Sequence, residues 1–210
     1  MGKSKKVVWI IGGNASGKTT QSKLLHQKLS GDKYKHIVQF EFINSKNNVD
    51  KTSYTLYQNS AHVGAMRDNQ CTGTDSLSTK DQIEMSYLTL MDKFELSYVV
   101  IDGIMSTSLW AEMILQAQPD ETYLVLLTFD KIEDNLKRVQ ERRFIKNKAF
   151  INGIKYLEPL KDKTIFNVTG KWRGFYSLFM RVHKQFTAYK IIDATLSREK
   201  INNEILKLIQ

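Results

Sequence analysis

The chain has 210 residues, 41% of them hydrophobic and 25% charged, with only two prolines. That composition excludes a disordered or fibrous chain and allows one full hydrophobic core, so a single domain over residues 1–210 is expected. The one cysteine, Cys71, excludes an intramolecular disulfide and points to a reducing compartment, while a formal charge of +9 favours a polyanionic partner, nucleotide or nucleic acid.

Met1 to Lys6 is basic, and the apolar run Val7 to Ile11 is too short for a signal-peptide core or a membrane span. A cytoplasmic protein with no membrane partner is the expectation. Val7 to Ile11 is mostly β-branched and closed by glycines, the pattern of a buried parallel strand running into a turn. Lys18 to Leu29 reads as the helix that follows, stopped by Ser30 and Gly31. His36 to Phe42 is a second strand. Asn44 to Ser60 is polar and poorly periodic and reads as an inserted loop, with room for a short helix, and Ala61 to Met66 as a further strand.

Helical spacing predicts Thr79 to Phe94, and Tyr98 to Ile101 is again a short buried strand. Ser106 to Ala117 suits a helix, Tyr123 to Thr128 a strand, and Lys131 to Phe144 a basic helix. Tyr176 to Phe186, Tyr189 to Ile192 and Ser197 to Ile209 complete the chain as helix, strand and helix. Strands and helices alternate, which predicts an α/β fold with a parallel sheet flanked by helices on both faces.

Gly12-Gly13-Asn14-Ala15-Ser16-Gly17-Lys18-Thr19 fits G-x-x-x-x-G-K-[ST] without departure, between a predicted strand and a predicted helix. In that context backbone N–H groups and the positive end of the helix converge on phosphate, and Thr20 continues the helix start. Lys18 is expected to reach the terminal phosphates of ATP, and the Thr19 hydroxyl to help hold Mg²⁺. Asp102 ends a buried strand and is followed by Gly103, at the sheet edge where α/β ligands bind; it is the candidate second ligand for Mg²⁺ or an orienter of the acceptor. A turn aspartate is the competing reading.

Lys137, Arg138, Arg142 and Arg143 crowd the basic helix, and Arg138 and Arg142 share a face four residues apart. Such cations suit the charge spread over a phosphoryl group in flight, and residues 138–175 are expected to form a helical, basic lid. Arg67, Thr72, Gly73 and Asp75 form a glycine turn with a carboxylate, suited either to binding an acceptor hydroxyl, with Asp75 as general base, or to capping the next helix. Gly170 to Tyr176 interleaves cations with aromatic rings, so Trp172 and Arg173 are substrate candidates by stacking and phosphate contact, or are half-buried supports under a lid. His26, His36, His62 and His183 show no metal-ligand spacing and read as structural.

The Gly12 to Thr19 loop, Asp102-Gly103, the arginine helix and the closing Ile191-Ile192-Asp193-Ala194-Thr195 resemble the nucleotide-kinase branch of P-loop proteins, which includes adenylate and thymidylate kinases. The resemblance implies the three-layer P-loop NTPase fold, ATP and Mg²⁺ as cofactors, transfer of the γ-phosphoryl group, and a last strand and turn near the adenine. Neither the Asp-Arg-Tyr type triplet of thymidylate kinases nor a monophosphate-binding arginine motif is present. Val63 to Arg67 continuing to Thr72-Gly73-Thr74-Asp75 is similar to bacteriophage P-loop kinases, some of which phosphorylate 5-hydroxymethyluracil in DNA. That likeness implies DNA with a hydroxymethylated base as acceptor, flipped out to meet the γ-phosphate, with Asp75 or Asp102 as base and the host cytoplasm as its setting. A nucleoside or nucleotide kinase acting on a free nucleotide, and a nucleotide-dependent switch that transfers nothing, remain the alternatives.

Overall fold

The computed structural model describes residues 5–31, 35–67, 73–103, 108–147, 150–151, 154–155, 157 and 159–210. The first strand, β1 (Lys6–Gly12), is central: it pairs in parallel with strands on both sides, and Val7 through Ile11 are fully buried. Helix α1 (Lys18–Ser30) follows, then β2 (His36–Ile43), β3 (Val49–Leu56) and β4 (Ser60–Val63). A 3-10 turn at Thr74–Ser76 leads to α2 (Lys80–Lys93), β5 (Tyr98–Asp102), α3 (Ser108–Gln116), β6 (Glu121–Thr128) and α4 (Ile132–Asn147). A two-residue hairpin, β7 (Phe150–Ile151) and β8 (Ile154–Lys155), separates α4 from α5 (Asp162–Val182), and β9 (Ala188–Asp193) and α6 (Arg198–Ile209) close the chain.

The result is an α/β fold with a seven-strand sheet in the order β2-β3-β4-β5-β1-β6-β9. From β4 to β9 every neighbouring pair is parallel, as the alternation predicts. Strand alternation divides the core: Val7, Trp9 and Ile11 face a cluster with α2, α3 and α5, whereas Val8 and Ile10 face Leu25 of α1 and Ile201, Ile205 and Ile209 of α6. Among the described residues no helix is long and apolar enough to cross a membrane.

Three expectations need correction. The stretch from Asn44 to Ser60 is not an inserted loop: β2 and β3 pair antiparallel from His36↔Leu56 to Ile43↔Val49, making the sheet mixed. Asn44 caps the tight turn by accepting from the Lys46 and Asn48 amides at 3.0 and 3.1 Å, and Asn47 takes φ 64°. The strand can be polar because its buried hydroxyls are satisfied: Thr52 donates to the Gln82 carbonyl at 2.5 Å and Thr55 to that of Gly64 at 3.0 Å. Hydroxyls satisfied in this way erase the apolar alternation by which strands are recognised.

The expected strand Ala61 to Met66 covers only Ser60–Val63, with Ala65 in an isolated bridge to Gly73. The last long helix starts at Asp162, not Tyr176, so Gly170 to Tyr176 lies inside α5 rather than before it. Its glycines lower local helix propensity, but Val168, Phe175, Leu178, Phe179 and Val182 form one buried stripe that holds the helix on the sheet. Helix α2 is capped by Thr79 and not by the Asp75 turn: Thr79 accepts from the Gln82 amide at 3.2 Å, and the Gln82 side chain accepts from the Thr79 amide.

Candidate functional site

Strand order reverses around β1, with β5 and β4 on one side and β6 and β9 on the other, which opens a crevice at the carboxyl ends of the strands. Gly12 to Thr19 fills the turn from β1 into α1. Gly12 has φ 154°, and a Cβ there would lie 2.4 Å from the Leu127 carbonyl oxygen, so only glycine lets the loop leave β1 against β6. Lys18 Nζ folds back over the loop and donates to the Gly12 and Gly13 carbonyls at 3.0 and 3.1 Å. Burial lowers the pKa of this ammonium, aided by Lys171 and Arg142, while Asp75 and Asp102 oppose the shift. Asn14 and Ala15 form the loop tip, tied to α4 because Asn135 Nδ2 donates to the Asn14 carbonyl at 2.5 Å.

Asp102 is fully buried at the end of β5. Its Oδ1 accepts from His62 Nε2 and from the Thr74 amide, each at 3.1 Å, while Oδ2 is buried with no hydrogen-bond partner. Burial alone would raise this carboxyl, but His62, the facing Thr19 hydroxyl and the Thr74 amide together hold it below the usual carboxylate range. A charged buried carboxylate with one oxygen committed and the other free is a donor arranged for a cation. Among the described residues no three His, Cys, Asp or Glu side chains converge into an all-protein metal cage. A divalent ion would therefore be held by Thr19 and the free oxygen of Asp102, with ligand and water oxygens completing it.

The 3-10 turn brings the second acid to the same place. Gly73, with φ 66°, passes so close to Asp102 that a Cβ would lie 2.5 Å from Oδ1. That contact sets the turn which carries Asp75 to the cavity, where its Oδ1 lies 2.6 Å from the Cβ position of Gly103. Partial desolvation and the neighbouring Asp102 charge raise the Asp75 pKa, against the pull of Lys18, Lys171 and Arg142. Asp75 is thus a carboxylate with enhanced basicity beside a lysine.

A cavity of about 480 Å³ runs from Ala15 to Gln21 along the loop and start of α1, including Thr19 and Thr20, and out to Asp75, Arg138, Arg142 and Arg198. Arg138 is fixed there, donating to the Ala194 carbonyl at 2.5 Å with its guanidinium 5.8 Å from the Phe129 ring centroid. A second cavity of about 570 Å³ lies across the loop tip, between Asn14 and Ala15 and the cations Arg142, Arg143 and Lys171. Arg143 is exposed and donates to Thr164 Oγ1 at 3.0 Å, joining α4 to α5.

Not every candidate residue lines these cavities. Arg67 is exposed, and its backbone carbonyl accepts from Lys23 Nζ at 3.0 Å. Trp172 turns inward, its indole N–H shared between Thr128 Oγ1 and the Phe129 carbonyl, both at 3.1 Å, and its Cα lies 3.8 Å from the Cβ position of Gly13. It fastens α5 behind the loop, whereas Arg173 is exposed on the same helix. Thr72 and Cys71 lie outside the described residues. His62 is the functional neighbour that sequence reasoning passed over, since its contact with Asp102 joins residues forty apart on two different strands. Its alternation with Ser60 in one short strand is the sole local hint. The chain matches no protein-family model, and none of the curated proteins matches it in sequence.

Proposed function

We propose that the chain is an ATP-dependent kinase of the P-loop class, and that its acceptor is the 5-hydroxymethyl group of a modified pyrimidine, 5-hydroxymethyluracil, in DNA. The observation that carries the reading is the juxtaposition of Lys18, folded over the glycine loop, with two carboxylates of opposite character, the ionised Asp102 and the more basic Asp75. The parallel strand order and the helices on both sheet faces support the three-layer P-loop NTPase fold.

In this reading the loop amides from Gly13 to Thr20 cradle the phosphates, and Lys18 exchanges its carbonyl partners for β- and γ-phosphate oxygens. The Thr19 hydroxyl and the unpartnered Asp102 Oδ2 would hold Mg²⁺, which would supply neutralisation of phosphate charge. Asp75 takes the proton of the acceptor hydroxyl as that oxygen forms its bond to the γ-phosphorus, while the bond from γ-phosphorus to the bridging oxygen breaks and ADP leaves with the electron pair. Arg142, exposed and lining both cavities, would meet the phosphoryl group beside Asp75 in the first and a DNA-strand phosphate in the second. Arg138, held against the Ala194 turn after β9, lines the side where the adenosine would sit.

The DNA acceptor rests on the +9 charge, the cations around the second cavity, and the Gly73 to Asp75 turn. The test is transfer of labelled γ-phosphate from ATP to DNA with thymine, DNA with 5-hydroxymethyluracil or 5-hydroxymethylcytosine, free nucleosides and free monophosphates. Label on hydroxymethyluracil DNA alone is the expected result. Label on a free monophosphate alone would make the chain a precursor kinase, and ATP loss with no labelled acceptor would make it a nucleotide switch.

A further inference from the structure

Behind Asp102 runs a chain of polar side chains through an otherwise apolar layer. His62 Nε2 donates to Asp102 Oδ1 at 3.1 Å, His62 Nδ1 meets His26 Nε2 at 3.1 Å, and His26 Nδ1 meets Ser60 Oγ at 2.8 Å. Ser60 in turn meets Ser30 Oγ at 2.8 Å, and Ser30 accepts from the Asn59 amide at 3.1 Å. His26, His62, Ser60 and Asp102 are all 0% exposed. The Tyr57 ring stacks on His26 with centroids 4.2 Å apart and planes within 12°, which fixes the imidazole in one orientation.

The placement follows from two periodicities. Ser60 and His62, two apart on β4, face the layer under α1, and His26 and Ser30, four apart on α1, face back. His62 is in register with Val100 of β5, so Asp102, two residues further on, projects to the same face. The chain therefore ties together three elements: the helix whose first turn carries Lys18 and Thr19, the strand that ends in Asp102, and the strand between. A buried polar network of this size opposes stability unless its members are satisfied, so its place beside Oδ1 of a fully buried aspartate calls for an account beyond packing.

We infer that His62 is a positioning residue, braced by His26, which holds the Asp102 carboxylate so that its free Oδ2 faces Thr19 at the separation a divalent cation needs. This rests on the kinase reading above. With Oδ1 committed to His62 and the Thr74 amide, the carboxylate cannot rotate about its Cβ–Cγ bond without breaking two hydrogen bonds, so Oδ2 has a defined direction before any ligand arrives. Because His26 lies on α1 itself, the same chain fixes the distance between the two proposed cation ligands, which otherwise belong to separate elements.

Two substitutions separate positioning from mere filling of the layer. His62→Gln puts an amide N–H where Nε2 was and keeps a donor to Asp102, whereas His62→Asn ends near Nδ1, keeps a partner for His26 and leaves Oδ1 without the imidazole. Each variant is checked for folding by circular dichroism, and Mn²⁺·ATP binding is followed by water-proton relaxation alongside turnover. The expected result is a half-saturating Mn²⁺ concentration raised about tenfold and a kcat lowered about ten- to a hundredfold in His62→Asn, with His62→Gln within about threefold of the parent on both. Folded Asn and Gln variants that match each other, whether both near the parent or both equally impaired, overturn the positioning role. A parent chain that binds no Mn²⁺·ATP overturns the kinase reading and this inference with it.

Discussion

In the floor beneath the cavity the groups are main-chain atoms and buried side chains, whereas along its rim they are the ends of exposed arginines. Gly12 is wedged against Leu127, Lys18 is tied to two carbonyls, and Asp102 is gripped through one oxygen. Arg142 and Arg143, by contrast, are exposed on the side of α4, and the described contact of Arg143 is to a single hydroxyl. The floor is preorganised, so its dipoles and charges act without reorganising when charge moves in the transition state. The rim must be gathered by the ligand itself and works in high dielectric, where a single charge contributes little. The contrast separates a floor set before any ligand arrives from a rim, Arg142 included, that the ligand must assemble.

The most severe break is Lys18→Ala. Removing the ammonium folded over the loop should lower turnover about a hundred- to a thousandfold, the scale of losing a preorganised donor from a reacting centre. The fold should survive, because the described hydrogen bonds of the Lys18 ammonium go to the loop and burial already opposes its charge. Turnover with labelled ATP and a thermal melt check both halves, and an unchanged rate would remove Lys18 from the chemistry.

Asp75 stands between floor and rim, exposed to the cavity on one side and partly desolvated by the groups around it. As a base it must lose its proton, so turnover should rise with pH through its raised pKa, and Asp75→Asn should abolish that acid limb while lowering kcat about a hundredfold. The KM for ATP should stay within about twofold, since the loss falls on the transition state and not on nucleotide binding. Stability should move the other way. A carboxyl with its folded pKa raised binds its proton more tightly in the folded chain, a contribution present at low pH and lost as pH rises from the usual carboxylate value through the raised one. Above that window Asp75→Asn should melt higher than the parent, and below the usual carboxylate range the two should coincide. Equal melts at neutral pH with equal losses in kcat and ATP affinity would leave Asp75 a structural residue of the 3-10 turn.

Floor and rim were not equally legible in the sequence. The loop, Lys18, Thr19 and Asp102 are read from contiguous residues with a strand before them, because strand, turn and helix start are local structures with local signals. The brace behind Asp102 is not local. His26, His62 and Asp102 come from three elements, and a histidine without ligand spacing carries no sign of its partner. The hairpin of β2 and β3 was hidden for a different reason: the buried Thr52, Ser53 and Thr55 put hydroxyls where a periodicity search wants methyls. In α5 the glycines at 170 and 174 masked a helix whose apolar stripe resumes at Phe175. Tertiary contact overrides local propensity in each case.

The smallest expected effect sharpens the rim. Arg143 lies outside the cavity that contains Lys18 and lines the one across the loop tip, so Arg143→Ala should leave kcat at saturating acceptor unchanged. If that cavity receives the phosphates of a DNA strand, each neutralised phosphate releases counterion, and deleting one such contact should lower the slope of log affinity against log salt by about 0.9 for duplex DNA. The loss of affinity should be uniform across DNA sequences, because a phosphate contact reads no base. The measurement is a salt titration of DNA binding for parent and variant on two unrelated duplexes. An unchanged slope would leave Arg143 as the tie between α4 and α5 that its bond to Thr164 makes it, and would move the DNA contact elsewhere on the basic surface.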